Sequence, residues 1–301
     1  MNKIQKINEF WLKIIAYFFM TIDHLGKILY VFASRMPDPN TAFYLGDLFS
    51  KIGRITFPLI VFMIVEGVIH TKNFWKYLMR IGIIALSIMI FQILAYYLYD
   101  SSISSFSSPF IDLIFIALTI YFLNRRDKFS WFAILPIAFI ILCFVVDVYS
   151  RNNPGVNILW LPFYVRCDYS LIGLLLGLGF YFVTRFVIKY IKTKMPDVGE
   201  DEKVIKESQP YRDYVNILSM AVIIIVSLLV YVSIFVKKGN FSVLDIYQAN
   251  IQTWMITAAI PIFFYNGKRG YNAKWFQYGS YLYFPVHIII LFGIFYLIFG
   301  L

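Results

Sequence analysis

The sequence predicts an all-α, polytopic membrane bundle of about nine to ten transmembrane helices with its N-terminus in the cytoplasm. Three observations predict it. Hydrophobic residues make up 60% of the chain and charged residues only 15%, against about 25% charged in a soluble domain, and the mean hydropathy is +0.71. Apolar runs long enough to cross a bilayer, about 20 residues each, recur along all 301 positions. Lysine and arginine gather in alternate connecting segments, the pattern that orients membrane proteins.

Nine segments carry the apolar character: 11–32, 43–69, 76–99, 109–123, 130–149, 168–190, 214–236, 249–265 and 276–299. The fourth and eighth are short for a full crossing and read as tilted or re-entrant. With a cytoplasmic N-terminus, the even-numbered connections are cytoplasmic. Together with the N-terminal tail they hold 18 of the 27 basic residues, among them Lys3, Lys72, Lys76, Arg80, Arg125, Arg126, Lys268 and Arg269. The serine-rich stretch SSISSFSS, 101–108, has no basic residue and falls on the outer side. The stretch VNILWLPFYV, 156–165, is too short to span and reads as interfacial. The polar stretch 193–211, TKMPDVGEDEKVIKESQPY, reads as a flexible cytoplasmic linker inside a single 1–301 domain. The first apolar run is followed by many others and is a span, not a cleaved leader. Net charge +10 is accounted for by cytoplasmic loops, so nucleic acid is not an expected partner; the bilayer is. Cys143 and Cys167 are too few for a disulfide framework and read as small packing groups, with a single bridge as the alternative.

Ionisable residues at membrane depth are rare and mark function by default. The first span, KIIAYFFMTIDHLGKILY, holds Lys13 near its cytoplasmic end and Asp23 and His24 past its middle. A helix rises 1.5 Å per residue, so Lys13 and His24 are roughly 16 Å apart along the axis. The last span, in SYLYFPVHIIILF, carries His287 at matched depth just after Pro285, which loosens the helix locally. Two histidines at one depth on different helices suggest a shared buried site. No third ligand and no ligand spacing accompany them, so no metal is expected. The second span adds Arg54 in its outer half and the i,i+4 neighbours Glu66 and His70 at its inner end. Lys72, Lys76 and Arg80 follow as a basic mouth. In FFYNGKRGYNAK, Asn266, Gly267 and Gly270 permit turns with positive φ, and Lys268 and Arg269 sit on that bend, where backbone N–H groups and cations together suit a phosphate.

These blocks, with GRITFPLIVFMIVEGVIHTKNFWKYLMR and CDYSLIGLLLGLGFYFVTR, resemble the TraX family in the same order, from about 11 to 299. The family takes its name from the conjugation protein that acetylates the N-terminus of F-type pilin. At 168–170 the family tends to have Asp-Tyr-Gly, whereas here Ser170 replaces the glycine. TraX proteins are similar to wider membrane acyltransferase families, whose first helix carries a basic residue, ten intervening residues and a histidine. Lys13 and His24 have that spacing.

The resemblance implies a multi-pass acetyl-CoA-dependent acyltransferase of a bacterial cytoplasmic membrane, with His24 as general base. Its acceptor is an amine or hydroxyl at the outer side, a peptide or pilin N-terminus before a cell-surface glycan. Asp23 is then expected to orient His24 or to neutralise a cation, and Arg54, His287 or Tyr283 to stabilise the oxyanion. Lys13, Lys72, Lys76, Arg80, Asn266, Lys268 and Arg269 are expected to hold the donor's phosphates. A proton-coupled transporter using Asp23, His24, Arg54, Glu66 and His287 as a relay, and a non-catalytic scaffold, are the alternatives.

Overall fold

The computed structural model describes residues 4–98, 108–125, 127–153, 156, 158–238 and 251–300. The serine-rich loop up to residue 107, Lys3 and Arg126 lie outside the described residues. Among these residues the chain is helical, with two isolated β-bridges and no strand. Among the described residues, seven helical segments are long and apolar enough to cross a membrane: Glu9–Arg35, Pro39–His70, Phe74–Leu94, Lys128–Asn152, Leu171–Lys194, Gln209–Ser233 and Lys274–Phe299. The two runs too short for a full crossing form the shorter apolar helices Pro109–Asn124 and Ile251–Phe263. The chain is a multi-pass helical membrane protein.

Its contacts divide it into two compact units, Met1–Ile60 with Phe182–Leu301, and Val61–Tyr181. In the first unit, α1 (Glu9–Phe32) packs closely against α2 (Pro39–Gly53). A Cβ on Gly53 would stand 2.3 Å from the Asp23 Cβ, so only glycine permits this approach. Asp38 caps α2, its carboxylate accepting from the Thr41 hydroxyl and from the Asn40 and Thr41 amides. Those bonds, the hydroxyl's foremost, hold its carboxyl below the ordinary range.

The expected second span is broken between α2 and α3 (Thr56–His70). Pro58, the third residue of α3, has no amide to give the Arg54 carbonyl and its ring crowds it, and the Arg54 side chain fits the break. Its Nε donates to the Ser50 carbonyl at 3.0 Å, the acceptor its own amide would use in an α-helix. The amide bonds Lys51 O at 3.2 Å instead, tightening the turn.

The stretch expected as a flexible linker is folded. It holds a 3-10 turn, Pro196–Val198, and the short α8 (Glu202–Glu207) before the long α9 (Gln209–Lys238) begins; α10 (Ala259–Phe263) comes later in the chain. Ile205 and Tyr211 are fully buried there, and Arg185 of the preceding helix reaches Glu202 at 3.5 Å. Apolar anchors at 205 and 211 outweigh the Pro, Gly and charge content around them.

In the second unit, α4 (Phe74–Leu98), α5 (Pro109–Asn124) and α6 (Ile134–Asn152) pack in succession. Phe74 stacks on Tyr121 at 3.9 Å between ring centroids. Cys143 and Cys167 are buried free thiols. Near 156–165, Leu159 and Trp160 are exposed and Phe163–Val165 forms a 3-10 turn.

One lock in this unit involves a residue that sequence analysis passed over. Asp112, fully buried in the first turn of α5, accepts from the amides of Asp168, Tyr169 and Ser170 at 2.7, 3.2 and 2.7 Å. Holding three successive amides on one carboxyl group turns the chain into α7 (Leu171–Lys194), and Ser170 takes φ +43 to do it. That is the left-handed region glycine adopts freely. Ser170→Gly is expected to raise stability by about 0.5–1 kcal/mol. Asp112→Ala, which strands three donors, is expected to cost about 3 kcal/mol or more. Thermal unfolding in detergent reads both.

Candidate functional site

The first unit brings α1 beside α11 (Lys274–Phe299), the two running in the same direction. Ring contacts mark the register: Phe10 with Phe276, Tyr17 with Tyr283 and Phe32 with Phe295. Lys13, Tyr17, Thr21 and His24 follow one another at spacings of four, four and three, so they share one face of α1.

Along that seam the two helices make polar contacts as well. The Thr21 and Tyr283 hydroxyls are 2.5 Å apart. His24 Nδ1 lies 2.8 Å from His287 Nε2, and His287 Nδ1 lies 2.7 Å from the Tyr283 carbonyl. The Tyr283 ring stacks on the His287 ring at 4.9 Å and 11°. Matched depth, argued from helical rise alone, is here a direct hydrogen bond. Pro285 is accommodated without ending α11.

Asp23 turns away from His24 toward two cations, as a 100° step between neighbours on a helix allows. Lys27 Nζ is 2.9 Å from one carboxylate oxygen, and the Arg54 guanidinium donates to the other. Asp23 and Arg54 are 7% and 5% exposed. Of the two expected roles for Asp23, orienting the imidazole or neutralising cations, the geometry matches the second. Arg54 is held by Asp23 and by the Ser50 carbonyl, so the structure engages it in this cluster. Lys27 was not singled out from sequence, although its i,i+4 spacing from Asp23 signals the pair.

The start of α1 is strapped to the 264–270 segment. The Ile7 amide donates to Phe264 O at 3.0 Å, and the Asn266 amide to Ile7 O at 2.8 Å. Glu9 and Phe10 donate their amides to the carbonyls of Lys268 and Arg269 at 2.8 and 3.2 Å. The Asn8 side chain caps the Trp11 amide at 3.1 Å. Asn8 also sits against Gly270, at φ +67, so tightly that a Cβ there would be 2.5 Å from it.

Gly267 also has positive φ, at +73. Asn266 does not; it closes the turn through its side chain, which accepts the Lys268 amide at 2.9 Å. The Lys268 amide and the opening amides of α1 are therefore occupied by protein acceptors. The side chains of Lys268 and Arg269 are exposed on the loop.

Lys13 pairs with Glu9 at 2.6 Å, one turn back on α1. In the second unit, His70 Nδ1 donates to the Glu66 main-chain carbonyl at 2.8 Å, not to its carboxylate. Lys72, Lys76 and Arg80 are exposed around the start of α4, where the Asn73 side chain caps the Lys76 amide at 3.1 Å. Among the described residues, no three of His, Cys, Asp and Glu gather as metal ligands would.

A family model described as TraX protein matches residues 9–196, more than half of the chain. The chain belongs to the TraX family. The TraX match takes in Lys13, Asp23, His24, Arg54, Lys72, Lys76, Arg80 and Ser170. His287 and the 264–270 strap lie beyond its end. Comparison with curated proteins and with solved structures returned no match.

Proposed function

We propose that this TraX-family chain is an acetyltransferase of a bacterial cytoplasmic membrane, moving the acetyl group of cytoplasmic acetyl-CoA to an acceptor at the outer side. The observation that carries the reading is the His24–His287 hydrogen bond at 2.8 Å, inside a helical pair whose cytoplasm-facing end, on the expected orientation, is closed by a basic loop.

The step balances as follows. His24 takes a proton from an amine or hydroxyl as that group attacks the thioester carbonyl. The tetrahedral intermediate collapses, the C–S bond breaks, and the CoA thiolate recovers the proton from the imidazolium. The products are an acetylated acceptor and free CoA. A peptide or pilin N-terminus is the favoured acceptor, following the family's namesake activity, and a glycan hydroxyl is the alternative.

Tyr283, beside His287 and bonded to Thr21, is a candidate donor to the oxyanion. Arg54 would first have to leave Asp23. CoA is polyanionic, so its phosphates favour exposed cations. Lys268 and Arg269 flank the start of α1, and Lys13 joins them if a phosphate replaces Glu9 as its partner. Lys72, Lys76 and Arg80 remain donor-binding candidates by charge and exposure.

Calorimetry with acetyl-CoA on the detergent-solubilised protein tests the donor site. Lys268→Ala/Arg269→Ala is expected to weaken binding about tenfold or more, with a shallower salt dependence. No binding by a folded preparation would return the transporter and scaffold readings to the front.

A further inference from the structure

We infer that His287 is a positioning residue: it fixes His24 in the Nδ1–H tautomer and so makes His24 Nε2 the basic atom. The inference deepens the acetyl-transfer reading and rests on it for its chemical meaning.

The assignment follows from one acceptor. A carbonyl oxygen only accepts, so His287 Nδ1, 2.7 Å from Tyr283 O, carries a proton. A neutral imidazole has one N–H, which leaves a lone pair on His287 Nε2. His24 Nδ1, 2.8 Å away, must then donate to it. With its own proton committed there, neutral His24 has its lone pair on Nε2. No other arrangement of two neutral rings satisfies both contacts.

The geometry also shows why His287 positions rather than conducts. The chain of bonds ends on the Tyr283 carbonyl, which cannot take a proton and pass it on. His287 is itself held three ways. Its Nδ1–H is bonded to the main chain one turn back, its ring is stacked on Tyr283, and the Tyr283 hydroxyl is bonded to Thr21 on α1. Only 7% of His287 is exposed.

Near His24, the charged residues Asp23 and Lys27 share its helix and Arg54 lies at the end of α2; the Asp23 carboxylate is already engaged by both cations. When His24 Nε2 takes up the acceptor's proton, the new imidazolium keeps its Nδ1–H on the His287 lone pair. That bond becomes charge-assisted and is therefore stronger in the transition state than before it.

The chain has three histidines, His24, His70 and His287. Nitrogen NMR of the full, solubilised protein labelled in histidine resolves three imidazoles, each assigned by its loss in a single substitution. His24 is expected in the Nδ1–H form, the reverse of the form free histidine favours. His287→Gln places a side-chain carbonyl near the old Nε2 position and should keep His24 in that form. His287→Phe keeps a ring of similar size but no acceptor. There His24 should revert to Nε2–H, and acetyl transfer should fall about 100-fold relative to the wild type with the KM for acetyl-CoA unchanged. His287→Gln should retain at least about tenfold more activity than His287→Phe.

Nε2–H on His24 in the wild type overturns the inference without any variant having to fold. An unchanged tautomer and rate in His287→Phe overturn it equally. Tautomers that behave as expected in a chain that transfers no acetyl group support the pairing and overturn the enzymatic reading, so the two failures are distinguishable.

Discussion

His24→Ala is expected to lose acetyl transfer by about 10²- to 10⁴-fold, the range a positioned general base contributes, while the protein inserts and unfolds at nearly the wild-type temperature. The separation is possible because His24 is only partly buried and no charged group depends on it for neutralisation; Asp23 is already held by Lys27 and Arg54. Donor binding should survive, since Lys268 and Arg269 sit at the other end of the α1–α11 seam, beside Glu9 and Phe10. The informative measurement is therefore a pair: turnover with an acetyl acceptor, and acetyl-CoA affinity on the same preparation. Lost turnover with retained affinity fits a base acting on the acceptor. Normal turnover by a folded His24→Ala protein would remove His24 from the chemistry and, with it, the acyltransferase reading of this seam.

The second large effect is on stability. Asp23→Ala leaves two cations, Lys27 and Arg54, without their shared carboxylate at a site where Arg54 is 5% exposed. Removing one member of a buried ion cluster costs about 3–5 kcal/mol, because the remaining charge is stranded. For a chain of this size, at about 2 °C per kcal/mol, that corresponds to a fall of about 6–10 °C in Tm. The replacement of all three, Asp23→Leu/Lys27→Met/Arg54→Met, should cost less than Asp23→Ala alone, since no charge is then left uncompensated. The outcome that would sink this account is a Tm for Asp23→Ala within about 2 °C of the wild type, which amounts to less than about 1 kcal/mol. The stability result stands without any measurement of activity.

Much of the helical frame could be read from the sequence because bilayer-crossing helices announce themselves through length and apolarity. All nine expected runs reappear, and the two short ones are the two shorter helices. The meeting of His24 and His287 was legible for a similar reason: helical rise is constant, so equal distance from the same side means equal depth.

What stayed hidden depends on where a side chain or a carbonyl goes. At the break after Gly53 the Arg54 guanidinium takes the Ser50 carbonyl, a contact no periodicity encodes, although Pro58 four residues on marks the place. Asp112 gave no signal because its three donors lie 56 to 58 positions away. The strap between Glu9 and Lys268 is made by main-chain groups, which carry no residue signature, although the positive φ of Gly267 and Gly270 was anticipated. The folding of 193–211 was missed because its few apolar anchors are outnumbered by charges.

The strap also sets a schedule for biosynthesis. Chains are made from the N-terminus, so α1 emerges with the first amides of its helix open. Their acceptors, the carbonyls of Lys268 and Arg269, leave the ribosome some 260 residues later, and the partner of His24 later still. α1 is thus made long before the groups that complete it. A nascent chain interrupted anywhere before residue 287 carries His24 without its partner, so an unfinished product lacks the histidine pair however well its earlier helices have inserted. Assembly of the site therefore waits on translation through residue 287.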